Sequence, residues 1–206
     1  MQTLVGDIGG TNSRFALATA DALEFVGAFR NDEHAEFGTL LDAVIEQAAP
    51  SGLLDLHLAV AAPLTSDVVQ LTNREWAFTP GSLAHARPID TVHIVNDFTA
   101  NALSLPRLAA KDTTVIGSAL PRDNATKLVM GPGTGLGVGA ILPAGDQWWP
   151  VVSEGGHATL AAESDEEAQL IALARKRFGH VSAERLLSGT GLLTLYELMC
   201  EVAGET

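Results

Sequence analysis

Residues Leu4 to Leu17 carry an apolar run that breaks at an acid, two adjacent glycines and a threonine, Asp7-Ile8-Gly9-Gly10-Thr11, and resumes as Arg14-Phe15-Ala16-Leu17. The residues after the glycines decide the local fold. In a dinucleotide-binding unit or a P-loop the glycine turn opens a helix. Here no cap and no apolar stripe of 3.6-residue period comes after Asn12, and a further strand-like run, Leu23 to Phe29, lies close behind. A β-hairpin within a meander is therefore predicted.

Glycine at 9 and 10 lets the backbone take positive φ and lets its N–H groups crowd an anion with no side chain in the way. Thr11 adds a hydroxyl donor. Asp7 would be repelled by a bound phosphate unless a divalent cation lay between them, so the turn suits a nucleotide phosphate carried with magnesium. An ordinary tight hairpin with an acid at its mouth fits the same residues, because short glycine motifs match by chance.

The remainder of the chain bounds the partners. Its 206 residues, 47% hydrophobic and 18% charged, supply a core without the bias of disorder and suit one large or two small domains. With a net charge of −13 and no basic cluster, nucleic acid and anionic membrane are not expected as partners. Any polyanion must be held locally, by backbone donors and metal. The single cysteine, Cys200, excludes an internal disulfide and a cysteine-based zinc site. Gly6 and Asp7 interrupt the apolar start, and no apolar run nears the roughly 20 residues that span a bilayer. A cytoplasmic protein is expected.

In chain order, Phe37, Leu40, Leu41, Val44, Ile45 and Ala48 fall at helical spacing, ended by Pro50 and Gly52. Leu56 to Ala62 is a nearly unbroken apolar run closed by Pro63, the pattern of a strand buried on both faces. Val68 to Leu71 is predicted as a short strand, Pro80 to Arg87 as a short helix, and Thr91 to Val95 as a strand that stops at Asn96-Asp97. Helical spacing returns from Phe98 to Leu108. Polar side chains at the carboxyl end of a buried parallel strand stand where open α/β sheets place ligands. Alternatively, Asp97 is only the N-cap of the next helix.

Lys111 to Thr126, more polar and carrying Gly117, Pro121 and Asn124, reads as the crossing between domains 1–108 and 109–206. After it, Leu128 to Leu142 echoes the opening: strand, a glycine turn with threonine at Gly133-Thr134-Gly135, strand. Two such hairpins, each starting an α/β segment, suggest a duplicated fold that clamps one polyanion. Glu154-Gly155-Gly156-His157 offers an acceptor and a donor on a flexible backbone, suited to a polyhydroxylated ligand; its spacing is not that of a zinc motif, and no metal-ligating residue is assigned. Ser164 with Glu167 reads as a capping box opening a helix to Phe178, and Ser182 as the N-cap of the segment holding Glu184 and Arg185, two residues that also fit a plain solvated first turn. A last helix is predicted over Leu192 to Val202.

Gly6 to Thr11, Asn96-Asp97-Phe98, Gly133 to Gly137, Glu154 to His157 and His180 to Gly191, in this order, resemble the bacterial glucokinases of the hexokinase, actin and heat-shock-protein superfamily. Thr72-Asn73 followed by Trp76 matches the same pattern, and the cysteine-rich zinc motif of the related repressors and kinases is absent. The resemblance runs over the whole chain. It implies an actin-like ATPase fold, ribonuclease-H-like and duplicated, with the second domain only begun, because members of the family continue beyond Thr206 into a segment that completes that domain and packs against adenine.

The resemblance also implies roles. ATP with Mg2+ would be cradled by Gly6, Asp7, Ile8, Gly9, Gly10 and Thr11 and by Gly133, Thr134 and Gly135. Asp97 would be the general base for the glucose 6-hydroxyl. Asn96, Asp97, Glu154, His157 and Glu184 would hold the sugar. Arg14 and Arg185 receive no role. A kinase for another sugar, such as fructose or N-acetylmannosamine, shares these features, and a non-catalytic sugar-binding regulator is the remaining alternative. The resemblance is compatible with a homodimer, while the residues leave oligomeric state open. Taken alone, the chain is expected to bind glucose weakly and to turn over little or no ATP.

Overall fold

The computed structural model describes residues 2–71, 74–118 and 122–204; Thr72, Asn73 and Pro121, which figure in the sequence patterns, lie outside them. The chain is α/β and divides into two compact units, Met1–Ala100 and Asn101–Thr206.

In the first unit, β1 (Gln2–Ile8), β2 (Asn12–Ala18) and β3 (Leu23–Arg30) form the predicted antiparallel meander. Helix α1 (Phe37–Ala48) leads to β4 (Leu54–Val60), parallel to β1. A small ribbon of β5 (Val69–Gln70) and β6 (Ala77–Phe78) and the short helix α2 (Pro80–Ala84) come next. Then come β7 (Ile89–Asn96), parallel to β4, and α3 (Asp97–Ser104). The five-stranded sheet has the order β3-β2-β1-β4-β7.

Alternation along the strands sets the core. Leu4, Gly6 and Ile8 of β1 pair with Leu17, Phe15 and Ser13 of β2 and with Leu56, Leu58 and Val60 of β4. All of these are buried. The apolar face of α1, Phe37, Leu40, Leu41 and Val44, joins the same cluster. A Cβ at Gly6 would lie 2.7 Å from Phe15 and 2.8 Å from Leu58, so this glycine is where the aromatic ring packs over the strand.

One strand departs from expectation. β4 is buried on alternate residues only: Leu54, Leu56, Leu58 and Val60 point inward, while His57 is exposed and meets His93 of β7 at 4.7 Å between ring centroids. The alternation begins at Leu54-Asp55, before the stretch that looks continuously apolar, and Ala59 and Ala61 are too small to demand full burial.

The second unit opens with β8 (Lys127–Pro132), β9 (Leu136–Ala144) and β10 (Gln147–Val151), an antiparallel meander ordered β10-β9-β8. This repeats the β3-β2-β1 half of the first sheet. Helices α4 (Asp165–Phe178), α5 (Ala183–Leu186) and α6 (Gly189–Ala203) complete the unit, and Leu170, Ile171, Ala174, Val181, Leu186 and Leu198 form a core among them. Ser164 Oγ caps α4 by accepting the Glu167 N–H at 3.2 Å, but the predicted box is not closed. Glu167 Oε2 reaches one residue further back and accepts from the Glu163 N–H at 2.6 Å. Ser182 precedes α5 without a side-chain capping bond. α6 starts earlier than predicted because Ser188 Oγ accepts the Gly191 N–H at 3.1 Å. No helix among the described residues is long and apolar enough to cross a membrane.

Candidate active site

The three parallel strands of the first unit end together. Ile8 of β1 is in register with Val60 of β4, and Val60 with Asn96 of β7. The glycine turn and the Asn96-Asp97 pair therefore leave one edge of the sheet, separated by the width of β4, about 10 Å at the usual spacing between strands. This is the carboxyl edge, where α/β sheets bind ligands.

The turn is held from within. Gly9 N–H donates to the Asn12 carbonyl at 3.1 Å, Asn31 Nδ2 donates to the Gly9 carbonyl at 2.8 Å, and Asn31 N–H donates to the Thr11 carbonyl at 2.9 Å. Ser13 Oγ donates to Asn31 Oδ1 at 2.8 Å, and both side chains are fully buried. The N–H groups of Gly10 and Thr11 find no partner among the described residues. These two residues line a cavity of about 520 Å³ together with His34, Arg74, Glu75 and Trp76. Positive φ is not the device: among the described residues the glycines in that region are Gly117, Gly145, Gly179 and Gly204. Gly9 is instead a place of close packing, where a Cβ would meet the Asn12 carbonyl at 3.1 Å. Gly6 and Ile8 face the core and seat the turn from below, while Asp7 is exposed and accepts from Arg14 Nη1 at 3.3 Å. Sequence reasoning missed Asn31 and Ser13; the available signal was an amide side chain directly after the third strand.

At the other end of the same edge, Asn96 Oδ1 accepts the N–H groups of Phe98 at 2.9 Å and Thr99 at 3.3 Å, and Asn96 Nδ2 donates to the Ala62 carbonyl at 3.3 Å. Asn96 thus caps α3. Asp97 Oδ1 also accepts from Phe98 N–H at 2.9 Å. Burial pushes the Asp97 carboxyl up from the ordinary aspartate value; the Phe98 N–H pulls it partly back, and the nearby charge of Asp7 pushes it up again.

In the second unit the turn Gly133-Thr134-Gly135 is tied to two later elements. Gly133 N–H donates to the Gly135 carbonyl at 2.8 Å, and the Gly133 carbonyl accepts Gly189 N–H at the start of α6, also at 2.8 Å. Glu184 Oε2 on α5 accepts the Leu136 N–H at 2.9 Å. Glu184 Oε1 lies 3.6 Å from His157 Nδ1, whose Nε2 lies 4.0 Å from Glu154 Oε2. Gly156 allows this row, since a Cβ there would run into the Leu136 carbonyl. Bonds from Leu160 N–H to the Val181 carbonyl and from Ala183 N–H to the Ala158 carbonyl, each 3.0 Å, strap the Glu154–His157 segment to the start of α5. Glu154, His157 and Glu184 therefore stand together beside the second glycine turn, a row of acceptors and an imidazole that matches a set of hydroxyl groups.

The glucokinase family model matches residues 4–206. A glucokinase of Chromobacterium violaceum is 38% identical over 202 residues, which cover 98% of this chain and 58% of that protein. The crystal structure of glucokinase from an Antarctic psychrotroph matches with a TM-score of 0.87 at 34% identity, covering 100% of this chain and 66% of that one. A ROK family glucokinase from Streptomyces griseus, solved in complex with glucose and AMPPNP, shares the fold at a TM-score of 0.55 and 16% identity, covering 99% of this chain and 62% of that one. The chain spans about 60% of the length of the curated relatives it matches.

Proposed function

We propose that this chain, which belongs to the glucokinase family, carries residues that transfer the γ-phosphoryl group of ATP to the 6-hydroxyl of D-glucose, giving glucose 6-phosphate and ADP. The observation that supports this best is the placing of Asp97, its proton affinity raised by burial, on the same sheet edge as a turn with two N–H groups unpartnered among the described residues.

Asp97 takes the proton of the 6-hydroxyl as that oxygen bonds to the γ-phosphorus and the bond to the bridging oxygen of ADP breaks. A positioned base of this kind contributes about 10² to 10⁴ in rate, and a carboxylate of raised proton affinity is better suited to the task than an exposed one. Asn96 fixes the start of α3 and with it the Asp97 backbone. The N–H groups of Gly10 and Thr11, the Thr11 and Thr134 hydroxyls and the backbone of Gly133 and Gly135 hold phosphate oxygens. The exposed Asp7 carboxylate is an oxygen donor of the type that would hold magnesium carried with the nucleotide, and the ion would neutralise charge on those oxygens. Asn96, Glu154, His157 and Glu184 bind the remaining sugar hydroxyls. In functional terms the first phosphate turn and the base belong to 1–108, and the second turn and the other sugar residues to 109–206. We place the reaction in the cytoplasm.

Titration calorimetry with glucose, alone and with Mg–AMPPNP, tests this together with a coupled assay for glucose 6-phosphate over glucose, fructose and N-acetylmannosamine. Expected are weak saturable glucose binding and at most a small yield of product, all of it lost in Asp97→Asn. No glucose binding at millimolar sugar, or a preference for another hexose, overturns the assignment.

A further inference from the structure

We infer that Asn31 is a positioning residue for the nucleotide: its side chain and backbone hold the first glycine turn with N–H groups, rather than carbonyl oxygens, facing the anion. The inference rests on the function proposed above and adds a residue that contacts no substrate.

The argument starts from peptide geometry. In a trans peptide the carbonyl and the N–H of the next residue point in opposite directions. Asn31 Nδ2 draws the Gly9 carbonyl inward at 2.8 Å, so the Gly10 N–H of the same peptide plane must face away from Asn31. Asn31 N–H draws the Thr11 carbonyl inward at 2.9 Å and turns the Asn12 N–H outward in the same manner. Gly9 and Gly10 carry no Cβ, so nothing in their own sterics resists rotation of the plane between them. A flipped plane would present a carbonyl oxygen to a phosphate. The bond from Asn31 is what opposes that flip.

Asn31 is itself fixed. It is fully buried, and Ser13 Oγ donates to its Oδ1 at 2.8 Å, which leaves Nδ2 as the group turned to Gly9. Since the Gly9 carbonyl can only accept, the amide orientation is determined by its two partners. An aspartate at 31 would set oxygen against oxygen and place a negative charge behind an anion site. Serine would leave the Gly9 carbonyl without its side-chain donor.

The test uses Asn31→Ser, Asn31→Asp and Ser13→Ala in the whole chain. The readouts are Mg–AMPPNP and glucose affinity by calorimetry and backbone amide resonances and exchange at Gly9 to Asn12 by NMR. Losing one such hydrogen bond corresponds to about tenfold in affinity. Asn31→Ser is expected to weaken Mg–AMPPNP by about that factor, Asn31→Asp by more and Ser13→Ala by less, with glucose affinity held within about twofold. The Gly10 amide resonance should move in each variant. Folded Asn31→Ser with unchanged Mg–AMPPNP affinity overturns the inference, as does a parallel loss of both ligands, which marks a general structural role. Should both Asn31 variants fail to fold, Ser13→Ala decides by the same criteria. If the unsubstituted chain binds no Mg–AMPPNP, the proposed function fails; the brace is then judged alone by the amides, and an unmoved Gly10 resonance overturns it.

Discussion

Glu184 Oε2 accepts the Leu136 N–H at 2.9 Å while its Oε1 lies 3.6 Å from His157 Nδ1, so a single carboxylate fastens the second glycine turn and stands beside the imidazole. Glu184→Ala is expected to weaken glucose binding by about 1 to 3 kcal/mol, the usual effect of deleting a hydrogen-bonding partner. Mg–AMPPNP affinity should fall as well, because Leu136 loses its acceptor. Glu184→Gln keeps an acceptor and should restore the nucleotide part. Calorimetry with the two ligands separately checks this; intact nucleotide affinity in Glu184→Ala would break the link.

Gly135 leaves the space that this carboxylate occupies. A Cβ at Gly135 would collide with Glu184 Oε2, whereas one at Gly52 meets nothing within 4 Å. Gly135→Ala should therefore displace Glu184 and lower affinity for both ligands, while Gly52→Ala should leave both unaffected. Equal affinities in the two variants would show that the Glu184 contact tolerates displacement.

For Asp97 the pH dependence has a definite sign. Its folded value lies above the ordinary aspartate value of about 3.9. Between the two values the folded chain binds more protons than the unfolded one, so stability falls as pH rises through that interval. At neutral pH the ionised carboxylate weighs against the fold. Asp97→Asn should then melt at a higher temperature at pH 7 while losing about 10² to 10⁴ of turnover. The acid limb of kcat/KM should sit above the ordinary aspartate range. Thermal melts at pH 4 and 7 and a pH–rate profile measure these, and an unshifted acid limb would exclude Asp97 as the titrating base.

Gly6→Ala tests packing apart from chemistry. Its Cβ would stand 2.7 Å from Phe15 and 2.8 Å from Leu58, both fully packed. Overpacking of this kind costs about 1 to 3 kcal/mol. A denaturant midpoint unchanged from the parent would mean that Phe15 moves aside freely.

Both hairpins were legible because each glycine turn lies between strand-like runs with no helical period after it. Helix α1 was legible from one apolar face. The single-faced burial of β4 was obscured by Ala59 and Ala61, which count as apolar without needing a core. Asn31 was invisible for a different reason: its bond to Gly9 spans 22 residues and exists only once β3 has folded back along β2. For Glu184 the local sequence fits a solvated first turn, the resemblance alone implies a sugar contact, and nothing in either tells that Leu136 takes one of its oxygens. The alternative reading of Asp97 as the N-cap of α3 is displaced by one residue: Asn96 Oδ1 accepts the Phe98 and Thr99 N–H groups, and Asp97 is the first residue of the helix.

β4 contributes none of the residues assigned to chemistry, yet it lies between the strand that ends in the glycine turn and the strand that ends at Asp97. It acts as a ruler, setting by its own width how far Asp97 stands from the first glycine turn, and its register with β1 and β7 sets their relative height. A substitution on its outer face changes nothing in that measure. A single inserted residue would put Val60 out of step with Ile8 and Asn96 and reverse which of its side chains face the core, so the part of this unit most sensitive to length is one that no search by chemistry would single out.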